Sequence, residues 1–189
     1  RTKKKRSRIL NNPASNIFML QGKKIAVGVS GSIAAYKSAI LVRLLVQEGA
    51  EVKVIMTESA SWFISPLTLS TLSKNQVVES LSTGGNWNDH VGLGLWADLL
   101  LIAPATANTI AKMAQGICDN MLLATYLSSK CPVWIAPAMD LDMWSHAATQ
   151  RNVALLENDS VVVLEPNSGE LASGLIGQGR MKEPEEILD

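Results

Sequence analysis

Residues 97–109, ADLLLIAPATANT, constrain this chain more than any other stretch. Ala97 to Ala103 is an almost wholly apolar run of strand length, without the polar-apolar alternation of a half-solvated strand. Such a run reads as a parallel strand covered by helices on both faces. It is expected to break at Pro104 into a polar turn, Ala105-Thr106-Ala107-Asn108-Thr109, that opens a helix. Ligands of open α/β sheets bind beyond the carboxyl ends of the strands, so Thr106, Ala107, Asn108 and Thr109 stand where a cofactor would be held. The competing reading is that Thr106 or Asn108 caps the helix.

The flanking sequence repeats the pattern. Lys24 to Ser30 reads as a strand, Gly31-Ser32 as a turn, and Ile33 to Glu48 as a helix with Ile33, Tyr36, Ile40, Leu41, Leu44 and Leu45 on its apolar stripe. Glu51 to Met56 completes a βαβ unit, and Thr57-Glu58-Ser59 follows it at the same height, as a cap for the next helix or a ligand contact. Pro66 to Ser73 reads as a short helix, Ser80 to Asp89 as a surface loop ending at His90, and Met121 to Ser129 as a helix. Pro132 to Ala136 is a further strand with a turn at Pro137-Ala138-Met139-Asp140, followed by a helix over Trp144 to Glu157 and a strand over Ser160 to Leu164. Asn167 to Arg180, with Gly169, Gly174, Gly177 and Gly179, is expected to form a mobile flap without regular structure. Alternating strands and helices imply a doubly wound, Rossmann-like (flavodoxin-like) parallel sheet with helices on both faces. Four strand ends should then meet at one edge.

Composition narrows the class. With 47% hydrophobic residues in 189 positions the chain can bury one domain, assigned to residues 19–189. Six of the 17 basic residues lie in the first eight positions, which leaves 11 basic against 17 acidic residues beyond them. The basic run lacks interleaved aromatics, so residues 1–18 are read as a solvated tail and not as a nucleic-acid or membrane anchor. No apolar run reaches the roughly 18 residues of a membrane span, so a cytoplasmic protein is expected. Cys118, placed in a helix, and Cys131, placed before a strand, form no metal-ligand set with His90 and His146, and they read as reduced thiols.

Four segments carry a resemblance. SGSIAAYK at 30–37, His90 before WADLLLIAPATANTIAKMAQGICDN, PAMDLDMW at 137–144 and GELASGLIGQGRM at 169–181 together resemble the flavin-dependent cysteine decarboxylases. The likeness is strongest to the branch acting on phosphopantothenoylcysteine, in many bacteria the amino-terminal half of a bifunctional protein with a ligase half. It implies FMN held by the turn at Gly31, Ser32 and Ile33, by Thr57 and Ser59, by Thr106 to Thr109 and by Ala138. It matches His90 to the family's active-site histidine, Asp140 to a position usually asparagine, and Ser173 to a position usually cysteine within the flap. Met139, Asp140, Ala172 and Arg180 are the implied substrate contacts, and a homo-trimer or trimer-based dodecamer is the implied assembly, with Trp87, Met143 and Trp144 as contact candidates.

The chemistry accounts for the flavin. A cysteinyl carboxylate has no electron sink for the pair released with CO2, and oxidation of the thiol to a thioaldehyde creates one. A histidine at the site suits proton handling near neutral pH. The resulting enethiolate must be protonated before it is reduced, and serine is a far weaker acid than cysteine. Ser173 therefore puts the reductive half in question, and two alternatives stay open: an oxidative decarboxylase of peptide carboxy-terminal cysteines, which stops at the enethiol, and a non-catalytic flavin-binding subunit.

Overall fold

The structure, a computed structural model, describes residues 19–83 and 86–189. The basic tail assigned to residues 1–18 lies outside them. Five parallel strands form the central sheet: β1 (Lys24–Val29), β2 (Glu51–Met56), β5 (Leu99–Ala105), β6 (Val133–Pro137) and β7 (Val162–Val163). Their order is β2-β1-β5-β6-β7. Relabelled in chain order this is 2-1-3-4-5, the flavodoxin-like arrangement, whose switch point lies between β1 and β5. The doubly wound expectation holds.

Two cores, one on each face, explain the apolar strands. Ile25, Val27, Val29, Val52 and Val54 face a layer made by α1 (Ala35–Gln47), α2 (Pro66–Ser73) and α8 (Pro184–Leu188). On the other face Ala26, Leu100, Ile102 and Ile135 meet α3 (His90–Trp96), α4 (Ala107–Ala114), α5 (Met121–Ser128) and α7 (Ala147–Asn158). β5 has neighbours on both edges and helices on both faces, so nearly every residue in it is buried. The outer edge of β2 is not left open: Val78 forms a parallel bridge to Ile55, and Met56 donates its N–H to the Val78 carbonyl.

Several elements depart from the sequence reading. β5 does not stop at Pro104 but continues to Ala105, because its register with β6 shifts between Ile102 and Ala105 and absorbs the missing N–H. The α1 stripe is rotated. Ser38, Leu41, Val42 and Leu45 face the sheet, while Ile33, Tyr36 and Ile40 are exposed. A small residue is needed on the inner face at Ser38, where α1 lies close to the sheet and Ser38 Oγ donates to the Ala103 carbonyl at 2.7 Å. The expected helix over 144–157 is two, α6 (Leu141–Ser145) and α7, divided at His146, whose Nδ1 accepts the Ala148 N–H. Cys118 lies exposed in the loop after α4, not in a helix. The last strand is two residues long, and the 80–89 loop contains a small pairing between β3 (Ser82–Thr83) and β4 (Asn86–Trp87).

The glycine-rich segment is ordered. Asn167–Glu170 and Ile176–Arg180 form an antiparallel hairpin, β8 and β9. Its glycines serve close approach and one turn. A Cβ on Gly177 would come within 2.6 Å of the Leu141 side chain, one on Gly179 would collide with the Met139 carbonyl, and Gly174 turns with φ of +85°.

Candidate active site

The four strand ends converge as expected, and hydrogen bonds knit them together. At the switch point buried Ser30 Oγ donates to the Pro104 carbonyl at 2.7 Å and accepts the Thr106 N–H at 3.0 Å. Thr57 N–H donates to the Val29 carbonyl and Ala138 N–H to the Ala105 carbonyl, each at 3.0 Å. A Cβ on Gly31 would lie 2.9 Å from the backbone of Ser59, so only glycine lets the first two turns meet. Thr57 Oγ1 and Ser59 Oγ are 3.2 Å apart. Neither hydroxyl caps the 3-10 turn Glu58–Trp62, contrary to the capping alternative.

At the third turn the capping reading holds. Thr106 is the cap of α4, with Oγ1 accepting the Thr109 N–H at 3.3 Å and donating to Thr109 Oγ1 at 3.1 Å. Asn108 is exposed on the first turn of α4 and Ala107 is half-buried beside it. Capping occupies Thr106 and leaves the Asn108 amide pointing away from the core.

A cleft of about 560 Å³ opens beside this edge. Its floor is the start of α1 (Ser32, Ile33, Tyr36, Lys37) and the β6 turn (Ala138, Met139, Asp140), and its roof is the hairpin (Glu170, Ala172, Gly179, Arg180). The roof is fixed to the floor where Met139 N–H donates to the Gly179 carbonyl at 3.0 Å. Asp140 begins α6, yet its side chain makes no capping bond, which leaves the carboxylate to the cleft. Ser32 Oγ accepts the Ala34 N–H at 3.2 Å at the entry to α1. Ala138 is buried, and its small side chain keeps the wall open.

Two expected chemical residues do not line this cleft. Ser173 lies exposed in the hairpin turn, its Oγ accepting the Leu175 N–H at 3.4 Å. His90 heads α3 on the other face of the sheet, capped by Asp89, which accepts the Gly92 N–H at 2.6 Å. Its ring meets Trp87 edge-on at 5.6 Å between centroids. Its Nδ1 is the one buried side-chain nitrogen or oxygen without a hydrogen-bond partner among the described residues. A buried polar atom left unpaired is costly, which sets this nitrogen apart from the satisfied polar groups around it.

Sequence reading missed Lys37, Glu170 and the bridge that Ser30 makes between Pro104 and Thr106. Lys37 gave no sequence signal, because only the structure shows that it lies on the buried side of α1, where a charge needs a partner. Trp144 packs in the core, as its apolar bulk requires, whereas Trp87 and Met143 are exposed. Burial pushes the Cys131 thiol above its usual range. No three of His, Cys, Asp and Glu are grouped to hold a metal among the described residues.

This geometry, a 2-1-3-4-5 sheet with polar turns at its switch point, has relatives. Residues 13–189 match the Flavoprotein family. The chain belongs to that family. It is 48% identical over 172 residues to the coenzyme A biosynthesis bifunctional protein CoaBC of Bacillus subtilis, covering 90% of this chain and 42% of that protein. It is 63% identical over 127 residues to a cysteine/cysteine sulfinic acid decarboxylase of an unknown prokaryotic organism, covering 66% of this chain and 35% of that protein. The chain thus spans less than half the length of these curated relatives. Among solved structures it resembles a cysteine-to-serine variant of a PPC decarboxylase complexed with pantothenoylaminoethenethiol (TM-score 0.78, 33% identity, covering 88% of this chain and 94% of that one). It also resembles the FMN-dependent cysteine decarboxylase SpaF (TM-score 0.74, 35% identity, covering 85% and 91%).

Proposed function

We propose that this chain binds FMN and decarboxylates 4'-phosphopantothenoylcysteine to 4'-phosphopantetheine in coenzyme A biosynthesis, as the amino-terminal part of a cytoplasmic bifunctional protein with a ligase half. The observation that carries the reading is the meeting of four strand-end turns at one switch point, beside a cleft with Asp140 in its floor and Arg180 in its roof. The residues fit a flavin. Gly31, Ser32 and Ile33 give a close-approach turn at a helix entry, suited to a phosphate. Thr57, Ser59, Thr109 and Ala138 give small hydroxyl and methyl walls, and Thr106, Ala107 and Asn108 give the adjoining helix entry.

Bound FMN supplies the two-electron oxidation that makes the carbon bearing sulfur an electron sink for decarboxylation. The chain supplies the rest. Met139 and Asp140 meet the cysteinyl end of the substrate, Arg180 pairs with an anionic group, and Ala172 closes the roof over it. His90, with its unpaired Nδ1, takes up or returns a proton at the substrate sulfur. The assembly proposed is a homo-trimer or trimer-based dodecamer; that His90 does not line the cleft of its own chain supports an arrangement in which the histidine of one subunit serves the cleft of another.

Ser173 keeps a second reading alive. A serine hydroxyl is a poor acid for the reductive half, and a turn position exposed to water gives it no help. Under this second reading the product is the enethiol of a peptide carboxy-terminal cysteine, and a neighbouring fold is the peptidyl-cysteine decarboxylase EpiD (TM-score 0.76, 27% identity).

Mass analysis of an anaerobic single turnover with phosphopantothenoylcysteine, and separately with a peptide ending in cysteine, tests both. Saturated thiol and CO2 support the main reading, accumulated enethiol that Ser173→Cys converts to saturated thiol supports a stalled reductive half, and no CO2 refutes decarboxylation. His90→Asn should keep flavin absorbance and lose CO2 release.

A further inference from the structure

Lys37 is 4% exposed, and the reaction chemistry leaves it without a task. It lies on α1 one turn beyond Ile33, its Nζ donating to the Met181 carbonyl at 2.9 Å and to Glu183 Oε1 at 2.7 Å. Arg180, in the roof of the cleft, reaches the same Glu183 oxygen at 3.3 Å. One carboxylate oxygen therefore serves two cations, with Lys37 closer and more buried. Glu183 is also held from behind, forming a capping box with Glu186 at the start of α8. It cannot follow Arg180 into the cleft.

We infer that Lys37 is a positioning residue that takes the larger share of Glu183, so that Arg180 spends only one long N–H contact on that carboxylate and keeps the rest of its guanidinium for an anionic group of the substrate. The inference rests on the substrate reading given above. Its logic is competition. The charged side chains lining the cleft are Lys37 and Arg180 against Asp140 and Glu170, so the lining carries no excess of positive charge. Arg180 attracts an anion the more strongly the less of its guanidinium Glu183 occupies, and Glu183 now holds it by one contact at 3.3 Å. A carboxylate without Lys37 would take Arg180 as its sole cationic partner, and a planar fork suits it for a two-bonded pair. Removing Lys37 should thus weaken anion binding although Lys37 need not touch the anion.

A double-mutant cycle separates this from a structural role. The probes are 4'-phosphopantetheine, which carries a phosphate and no carboxylate, and pantothenoylalanine, which carries a carboxylate and no phosphate, each titrated calorimetrically into the flavin-loaded protein. For the probe whose anion Arg180 meets, Lys37→Met should raise Kd about 10-fold or more, the scale of one charge-assisted hydrogen bond. Lys37→Met combined with Glu183→Gln should return Kd to within about threefold of wild type, because no carboxylate remains to capture Arg180. In an Arg180→Met background, Lys37→Met should change Kd by less than about twofold. The probe that responds identifies phosphate or carboxylate as the anion. A double variant that binds as weakly as Lys37→Met, or more weakly, overturns the inference even where it remains folded. Wild-type protein that binds neither probe and releases no CO2 from phosphopantothenoylcysteine overturns the substrate reading together with the inference. Wild-type binding with an unresponsive cycle overturns the inference alone.

Discussion

Ser30→Ala tests the junction on which the site is built. The Ser30 hydroxyl is shared between a strand and a helix entry, donating to Pro104 on β5 and accepting the N–H of Thr106 at the head of α4. The Pro104 carbonyl keeps a partner after the substitution, because the Ser30 backbone N–H also reaches it at 3.2 Å. The Thr106 N–H loses its acceptor. Losing one net hydrogen bond costs about 1 kcal/mol, and stranding a partly buried N–H adds about 1–2 kcal/mol, so the expected loss is about 2–3 kcal/mol. For a domain of this size that lowers Tm by about 4–12 °C. Ser38→Ala is the control. Ser38 is equally buried but serves one partner, the Ala103 carbonyl, and should cost about 1 kcal/mol. Urea unfolding of both variants, with unchanged slopes, gives the comparison. If Ser30→Ala costs no more than Ser38→Ala, the hydroxyl does not tie the two turns together, and the switch point must be held by strand pairing alone.

Three further outcomes follow from the roof and floor of the cleft. Gly179→Ala drives a methyl group into the Met139 carbonyl, so it should detach the hairpin from the floor and raise KM for substrate about 10-fold or more, with faster limited proteolysis between residues 170 and 176. Asp140→Asn removes one of the two carboxylates lining the cleft and should tighten an anionic substrate about 3–10-fold, read as a lower KM; an unchanged KM would show that Asp140 does not face the substrate anion. Glu186 is held below the ordinary glutamate range by the Asn167 side-chain amide first and the Glu183 backbone N–H second. A folded-state pKa that is depressed contributes stability above the unfolded pKa and loses it as pH falls through the folded one. Hairpin order should therefore weaken as pH drops below about 4.3, the reference value for glutamate. Faster amide exchange at Asn167 and Ser168 in acid checks this, and Glu186→Gln should abolish that pH dependence.

How much was legible depended on which interactions were local. The sheet class could be read because strands buried on both faces write themselves as apolar runs, as LLLIA and VIM do here. The turns were legible for the same reason, since each follows such a run. The orientation of α1 was not. Two overlapping stripes fit its sequence, one through Ile33, Tyr36 and Ile40 and one through Ser38, Leu41, Val42 and Leu45, and only the closeness of the sheet selects the second. The hairpin was misread because glycine permits disorder and close packing alike. Which one applies is decided by Leu141 and Met139, more than thirty residues away. Lys37 was overlooked because its partners, Met181 and Glu183, lie nearly 150 positions further on.

The two layers of the cleft are held by different kinds of bond, and this difference orders how they respond to conditions. The floor is backbone pairing plus one buried hydroxyl: Val29 to Thr57, Ala105 to Ala138, and Ser30 between Pro104 and Thr106. None of these groups titrates or is screened by salt. The roof meets the floor through one backbone bond, and both of its ends are otherwise tied to α8 by carboxylates, Asn167 to Glu186 and Arg180 to Glu183. The exposed Glu186 carboxylate loses its bond from the Asn167 amide on protonation, and the partly exposed Arg180–Glu183 charge pair is weak and salt-sensitive. Acid and salt should therefore loosen the roof while the floor stays intact. Substrate affinity, which needs both layers, should fall under conditions that leave a flavin held by the floor turns in place, whereas Ser30→Ala should weaken flavin binding under every condition in which the roof is sound.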